Sequence, residues 1–225
     1  ARYILIRSGF FEITSISADD IKRTEIYAAN AQRAAQQKSF ASYSDYLLSL
    51  DMHAVIEDFQ PVYLQRITQL TNKSNQFNLT TKRYSDKDME AVCASREHIR
   101  LYGRLTDKFG DNGIVSVVIG RCKGDALHVE LWLMSCRVLK RDMELAMLDE
   151  LVSQCKKRGI SKIVGYYYKT AKNSMVSELY GSFGFELMEK AENGDSVWSL
   201  DLSCYENKNH VIKKESEKNH DHELN

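Results

Sequence analysis

Proline is almost missing: Pro61 is the only one in 225 residues, which excludes a proline-rich linker or recognition segment. Cysteine is sparse too. Cys93, Cys122, Cys136, Cys155 and Cys204 are odd in number and never spaced as C-x-x-C. That pattern excludes a zinc ribbon or disulfide framework and fits reduced thiols in a cytoplasmic protein. No uninterrupted apolar run approaches the roughly 18 residues of a membrane span. Neither sign of charge is in excess, since 31 Lys and Arg balance 31 Asp and Glu. The chain as a whole therefore offers no electrostatic case for nucleic acid or an anionic membrane. The opening Ala1-Arg2-Tyr3-Ile4-Leu5 has neither Met nor a signal-peptide pattern, and we read the chain as a segment of a longer protein. No internal repeat is visible.

What remains is an ordinary globular balance, 43% apolar and 28% charged, at a length suited to one large domain. Ser17-Ala18-Asp19-Asp20 predicts a helix start, and good helix formers continue to Lys38. Ser42 to Leu50 predicts a second, short helix with Tyr43, Tyr46, Leu47 and Leu50 on one face. Residues 1–50 thus read as a helical connector. From Met52 the pattern changes to a short strand over Met52 to Glu57, a helix over Val62 to Asn72, and a polar loop over Asn72 to Thr81. A capped helix follows from Ser85 to Ser95.

Ile99 to Leu105, Gly113 to Gly120 and Ala126 to Met134 predict an antiparallel meander with Gly-Asp-Asn-Gly and Lys-Gly-Asp turns. Asp142 to Arg158 is the strongest helix and is stopped by Gly159. A strand (Lys162 to Tyr168), a helix (Asn173 to Ser182) and two strands (Phe185 to Glu189, Ser196 to Leu202) complete residues 51–203. The charged tail, 204–225, reads as disordered. Its His220-Asp221-His222-Glu223 reads as tail, with adventitious metal binding the alternative, and no metal site is expected in the domain. Asn72-Lys73-Ser74 and Asn78-Leu79-Thr80 fit a glycosylation pattern that requires secretion.

This order of elements resembles the GNAT acyltransferase fold, an α/β (α+β) mixed sheet here preceded by a helical arm. Residues Asn72 to Tyr84 (NKSNQFNLTTKRY), Phe109 to Gly113, Ser135 to Arg141 and Thr170 to Asn173 resemble the C-terminal half of FkbH-like proteins. Phe10-Phe11-Glu12-Ile13 and Thr24-Glu25-Ile26-Tyr27 look like that family's connector. The similarity spans about residues 3 to 202. It implies a missing upstream domain of the haloacid-dehalogenase type, of subfamily IIIC. That domain takes a glyceryl group from 1,3-bisphosphoglycerate and loads it on an acyl carrier protein for polyketide-type or glycan precursor biosynthesis. Its paired-aspartate D-x-D-x-T/V motif has no counterpart here. The implied partners are the carrier protein and that upstream domain, and the implied cofactor is acetyl-CoA or a phosphopantetheine thioester.

The resemblance also implies a site. In the GNAT fold the loop entering the central helix cradles the CoA pyrophosphate on backbone amides, since orphan N–H groups and the helix dipole favour an anion there. The family pattern R/Q-x-x-G-x-G/A aligns with Arg137-Val138-Leu139-Lys140-Arg141-Asp142, and Met134 and Cys136 lead into it. Arg137 matches, whereas Lys140 and Asp142 replace both small residues. A carboxylate about 5 Å from a phosphate, at an effective dielectric of about 20, opposes binding by roughly 3 kcal/mol. Asp142 is otherwise a first-turn acid stabilising its own helix. Arg137, Lys140 and Arg141 either bind phosphate or form a solvated basic cluster.

Glu130 matches the general base and is otherwise part of a polar strand face with His128 and Trp132, opposite Leu127, Val129, Leu131 and Leu133. Tyr180 matches the acid for the leaving thiolate and is otherwise a core aromatic. Asn173 matches a cofactor contact and is otherwise an N-cap. Asn75, Gln76, Phe77, Asn78 and Thr80 read either as substrate-positioning residues overhanging the acceptor side or as a hydrogen-bonded structural loop. Two functions stand side by side: acyl transfer from a thioester, and a non-catalytic module for carrier docking or dimerisation.

Overall fold

The computed structural model describes the backbone of residues 18–216 and the side chains of residues 28–216. Phe10 to Ile13 and His220 to Glu223 lie outside the described residues. The chain divides into two compact units at Tyr46/Leu47. The first contains helix α1, Ala18–Gln37, and the start of α2, Tyr43–Ser49. Within that unit Tyr46 packs against the rings of Phe40 and Tyr43 at 6.2 and 5.6 Å.

The second unit is built on a nine-stranded mixed sheet. Strand β1 is His53–Asp58, and a 3-10 turn at Pro61–Tyr63 leads into α3, Leu64–Lys73. A two-residue strand β2, Phe77–Asn78, precedes α4, Asp86–Ala94. The α4 start is fixed by a capping box. The Ser85 hydroxyl accepts from Asp88 N–H, and the Asp88 carboxylate accepts from Ser85 N–H. The meander is β3 (His98–Asp107), β4 (Gly110–Lys123) and β5 (Ala126–Met134). Then come α5 (Met143–Lys157), β6 (Lys162–Tyr167), the one-turn α6 (Leu179–Ser182), β7 (Glu186–Lys190), β8 (Ser196–Asp201) and β9 (Lys213–Glu215).

The sheet order is β7-β8-β6-β5-β4-β3-β1-β9, with β2 also on β5. Helices cover both faces. Tyr102 of β3 belongs to the cluster with Ile67 and Leu70 of α3 and Met89 of α4. The next residue, Gly103, points the other way, to Met143 and Met147 of α5. A Cβ there would lie 2.3 Å from Met143 Cε, so the glycine lets α5 settle onto the sheet.

Two departures from strict pairing position everything that follows. In β5, Val129 pairs with Gly120 and Leu131 with Ile119, so Glu130 is the extra residue of a bulge. The bulge breaks the expected alternation. Leu131 and Leu133 join the cluster over α3 and α4, whereas Trp132 packs against Tyr180 and Phe183. Leu131 and Leu133 thus share a face with Glu130's neighbour Tyr84, and Trp132 does not accompany Glu130.

The second departure is between β5 and β6, which run parallel and pair only from Ala126↔Lys162 to His128↔Val164 before parting. Residues 77–80 lie between them.

The expected helix over Asn173 to Ser182 is broken at residues 177–178 into a 3-10 turn, Ser174–Val176, and α6. The tail read as disordered from residue 204 is ordered through residue 216. Asp149 of α5 accepts from the amides of Lys208 and Asn209 and from the Tyr205 hydroxyl, and β9 pairs parallel with β1. The opposite edge, β7, is exposed along its whole length and carries its own bulge between Leu187 and Glu189.

Candidate active site

The loop between β5 and α5 is where an anion would bind. Ser135 caps a 3-10 turn over Cys136–Val138, and Val138 N–H is taken by the Ser135 carbonyl at 3.2 Å. Lys140 and Asp142, the two positions that the resemblance makes small, have φ of 62° and 60°. Both are therefore left-handed, the conformation glycine adopts freely and an L side chain adopts at a cost of roughly 1–2 kcal/mol. The backbone keeps the glycine shape without the glycines.

Asp142 is the N-cap of α5, and its side chain makes no capping bond. Burial pushes its carboxyl above the usual range. Glu144 stands two residues further and, like Asp142, is partly buried. Burial raises its pKa, its own backbone N–H works against the rise, and the charge of Asp142 adds to it. Its Oε2 is buried and has no hydrogen-bond partner among the described residues. Two acids at this helix start do not fit a pyrophosphate.

Arg141, expected among the phosphate contacts, turns inward. Its Nη1 donates to Asp107 Oδ2 at 3.1 Å and lies 3.5 Å from Asn112 Oδ1, and the Asp107 side chain is fully buried. Arg137 stays half-buried at the surface, with Nε donating to Ser135 Oγ at 3.2 Å. Burial, then the nearby Arg66 charge, lowers its pKa. Cys136 and Lys140 are exposed, Leu139 is half-buried, and Met134 is buried in pairing with Phe77.

Glu130, placed by the bulge, faces Lys82 and Tyr84. Lys82 Nζ donates to Glu130 Oε2 at 2.6 Å, and the Tyr84 hydroxyl lies 3.5 Å from the same oxygen. Burial alone works to raise the Glu130 pKa. The Lys82 bond and charge, with His98 and Arg121 beyond, outweigh it and hold the carboxyl below its usual value. It is ionised at neutral pH but is a weak base, already paired. His128 Nδ1 bonds the Tyr166 hydroxyl at 2.7 Å, and the two rings stack at 6.0 Å. This polar and aromatic face is partly open to solvent.

Tyr180 lies on the opposite side of the sheet, against Trp132, Phe185 and the bare Cα of Gly165. It is 1% exposed, and burial pushes its pKa far up. The backbone of Tyr166 is near its oxygen without reaching hydrogen-bond geometry. A hydroxyl so placed has the surroundings of a core aromatic, the alternative the sequence offers for it. Because its oxygen makes no hydrogen bond, Tyr180→Phe should leave the unfolding free energy unchanged or raise it by up to about 1 kcal/mol, read by urea denaturation. A loss of more than about 1 kcal/mol would mean that the hydroxyl is bonded.

Asn173 stands at the N-cap position of the 3-10 turn Ser174–Val176, but its side chain makes no capping bond. Fully buried, it donates through Nδ2 to the carbonyls of Asn78 and Tyr168, both at 2.9 Å, and accepts from Thr170 N–H at 2.8 Å. The expected substrate loop is also largely internal. Phe77, Asn78 and Thr80 are buried; Asn75 accepts from Arg83, and Gln76 is exposed. The reading of residues 72–81 as a polar loop misses this strand, for which the alternation of Phe77 and Leu79 with Asn78 and Thr80 is the one signal in the sequence. Lys82 carries no signal beyond being charged, because only the fold brings it to Glu130, whereas Glu144 adjoins the loop in sequence and is passed over there.

Among the described residues no group of three or more His, Cys, Asp or Glu could hold a metal, and no helix is long and apolar enough to cross a membrane.

No protein-family model matches the chain, and no curated protein matches it in sequence. Solved structures do match it in shape. A GNAT-family acetyltransferase from Streptococcus pneumoniae superposes with a TM-score of 0.53 at 14% identity, over 66% of this chain and 99% of that one. A domain from Methanocaldococcus jannaschii gives 0.52 at 12% identity, over 67% and 99%. The ribosomal-protein-S18-alanine N-acetyltransferase of Escherichia coli gives 0.50 at 15% identity, over 70% and 99%. The bulged meander, the central helix and the parting parallel strands thus make the mixed α/β fold of the GNAT acetyltransferases.

Proposed function

We propose that this chain is the GNAT-fold, acyltransferase-like part of an FkbH-like protein, and that it docks an acyl carrier protein without itself transferring an acyl group from free CoA. The observation that supports this best is the state of the proton-transfer pair. Tyr180 is sealed in the core, and Glu130 is tied to Lys82 with its basicity reduced. The loop argues the same way, since Asp142 and Glu144 stand where a pyrophosphate would need only donors. The carrier as partner, and an upstream haloacid-dehalogenase-like domain that does the glyceryl chemistry, rest on the resemblance of Asn72 to Tyr84 and its companion segments.

A second reading, acyl transfer with Glu130 as base, is favoured by the bulge that aims this carboxylate at a partly open polar face. Calorimetric titration separates the two. A phosphopantetheine-loaded carrier protein is expected to bind at micromolar affinity, and acetyl-CoA is expected to give no heat up to millimolar concentration. Micromolar binding of acetyl-CoA would favour the second reading, and absence of carrier binding would end the first.

A further inference from the structure

Where parallel strands part, each turns a row of backbone N–H and C=O groups toward the gap, and buried groups of that kind must be paired. An extended chain with amide groups is the natural occupant, as when a peptide adds a strand to a sheet. The pantetheine arm of CoA, with two amides, has that chemistry. In this protein the gap between β5 and β6 is already taken by the chain itself.

Phe77 and Asn78 pair with Met134 and Leu133, and Leu79 N–H donates to the Trp132 carbonyl at 3.0 Å. The Thr80 hydroxyl donates to the carbonyl of Glu130, the bulge residue, at 2.7 Å. On the other side, Tyr168 N–H donates to the Leu79 carbonyl at 2.9 Å, and Asn173 holds the Asn78 carbonyl. Asn78 turns its own amide back on the segment, donating to the Ser74 carbonyl and accepting from Thr81 N–H. Asn78 and Leu79 are fully buried.

We infer that Phe77–Thr80 is a resident strand standing where an extended amide-bearing cofactor would lie, so that neither CoA nor a phosphopantetheine arm enters between β5 and β6. The segment is bonded on both edges and buried at four successive residues, which is the condition of a core strand and not of a lid. The inference concerns the gap alone and holds whether or not a carrier docks on the surface.

Hydrogen exchange of the whole chain tests it directly. The Leu79 and Tyr168 amides are expected to exchange within about tenfold of the central β4 amides, and adding millimolar acetyl-CoA is expected to leave those rates unchanged. Exchange a hundredfold faster than β4, or faster in the presence of acetyl-CoA, would show that the strand withdraws and would overturn the inference. A Leu79→Val variant supplies a milder second measurement. Its Leu79-position and Tyr168 amides should still exchange together with the core, and their separation from it would count against the proposal. Carrier protein is absent from these experiments, so failure here is distinct from failure of docking.

Discussion

Replacing Arg141 by methionine is expected to lower the unfolding free energy by about 3–5 kcal/mol, the usual consequence of removing one partner of a buried ion pair. Asp107 ends β3 with its side chain fully buried. It is satisfied by Arg141 at 3.1 Å, by Phe109 N–H at 2.9 Å and by the Asn112 amide at 3.5 Å. Methionine fills most of the guanidinium's space but leaves the carboxylate uncompensated, and that residual charge is the source of the loss. The double variant Arg141→Met, Asp107→Asn should recover a large part of it, because no buried charge is then left alone. Urea denaturation of the three proteins decides the matter, and an unchanged midpoint for Arg141→Met would remove the pair from the account. The same side chain explains why the basic run Arg137-x-x-Lys140-Arg141 presents less positive charge to solvent than its sequence suggests.

Trp132→Ala should cost a similar amount, about 3–5 kcal/mol, as large-to-small changes of buried aromatics do. Trp132 is fully buried, 5.5 Å from the Phe183 ring and 6.3 Å from that of Tyr180. Its indole N–H makes no hydrogen bond among the described residues. Trp132→Phe, which keeps a ring and removes an unpaired donor, is therefore expected to lose no more than about half as much. Equal losses for Ala and Phe would show that the indole N–H matters after all. Because the bulge sends Leu131 to the other face, combining Trp132→Ala with Ile67→Ala should give nearly additive losses in denaturation experiments.

Much of this fold is legible along the chain. The meander, the central helix with its Gly159 stop and the Ser85 cap follow from period and punctuation alone, since those elements are decided by neighbours in sequence. The bulge at Glu130 is not, because it depends on which β4 residue faces it, and strict alternation misassigned Trp132 as a result. Strand β2 hides in text too polar for a core because Asn78 spends its polar atoms on its own segment and Thr80 spends its hydroxyl on the Glu130 carbonyl, which only the fold brings near. Strand β9 hides among lysines and glutamates for a related reason: Lys213 pairs with Asp51, Lys214 with Glu150 and Glu215 with His53. At the site, Lys140 and Asp142 are visible as departures from a small-residue pattern. The left-handed backbone beneath them, the inward turn of Arg141 and the burial of Tyr180 belong to three dimensions.

The exposed strand β7 has a bearing on self-association. A long flat edge invites a second chain to pair with it, whereas β7 is five residues long and kinked by its bulge. Glu186, Glu189 and Lys190 add charges that an incoming strand would have to accommodate. A partner that extended the sheet here would meet a broken register, and the exposed Leu187 and Met188 are flanked on both sides by charged residues, so two copies of this chain gain little by joining at β7.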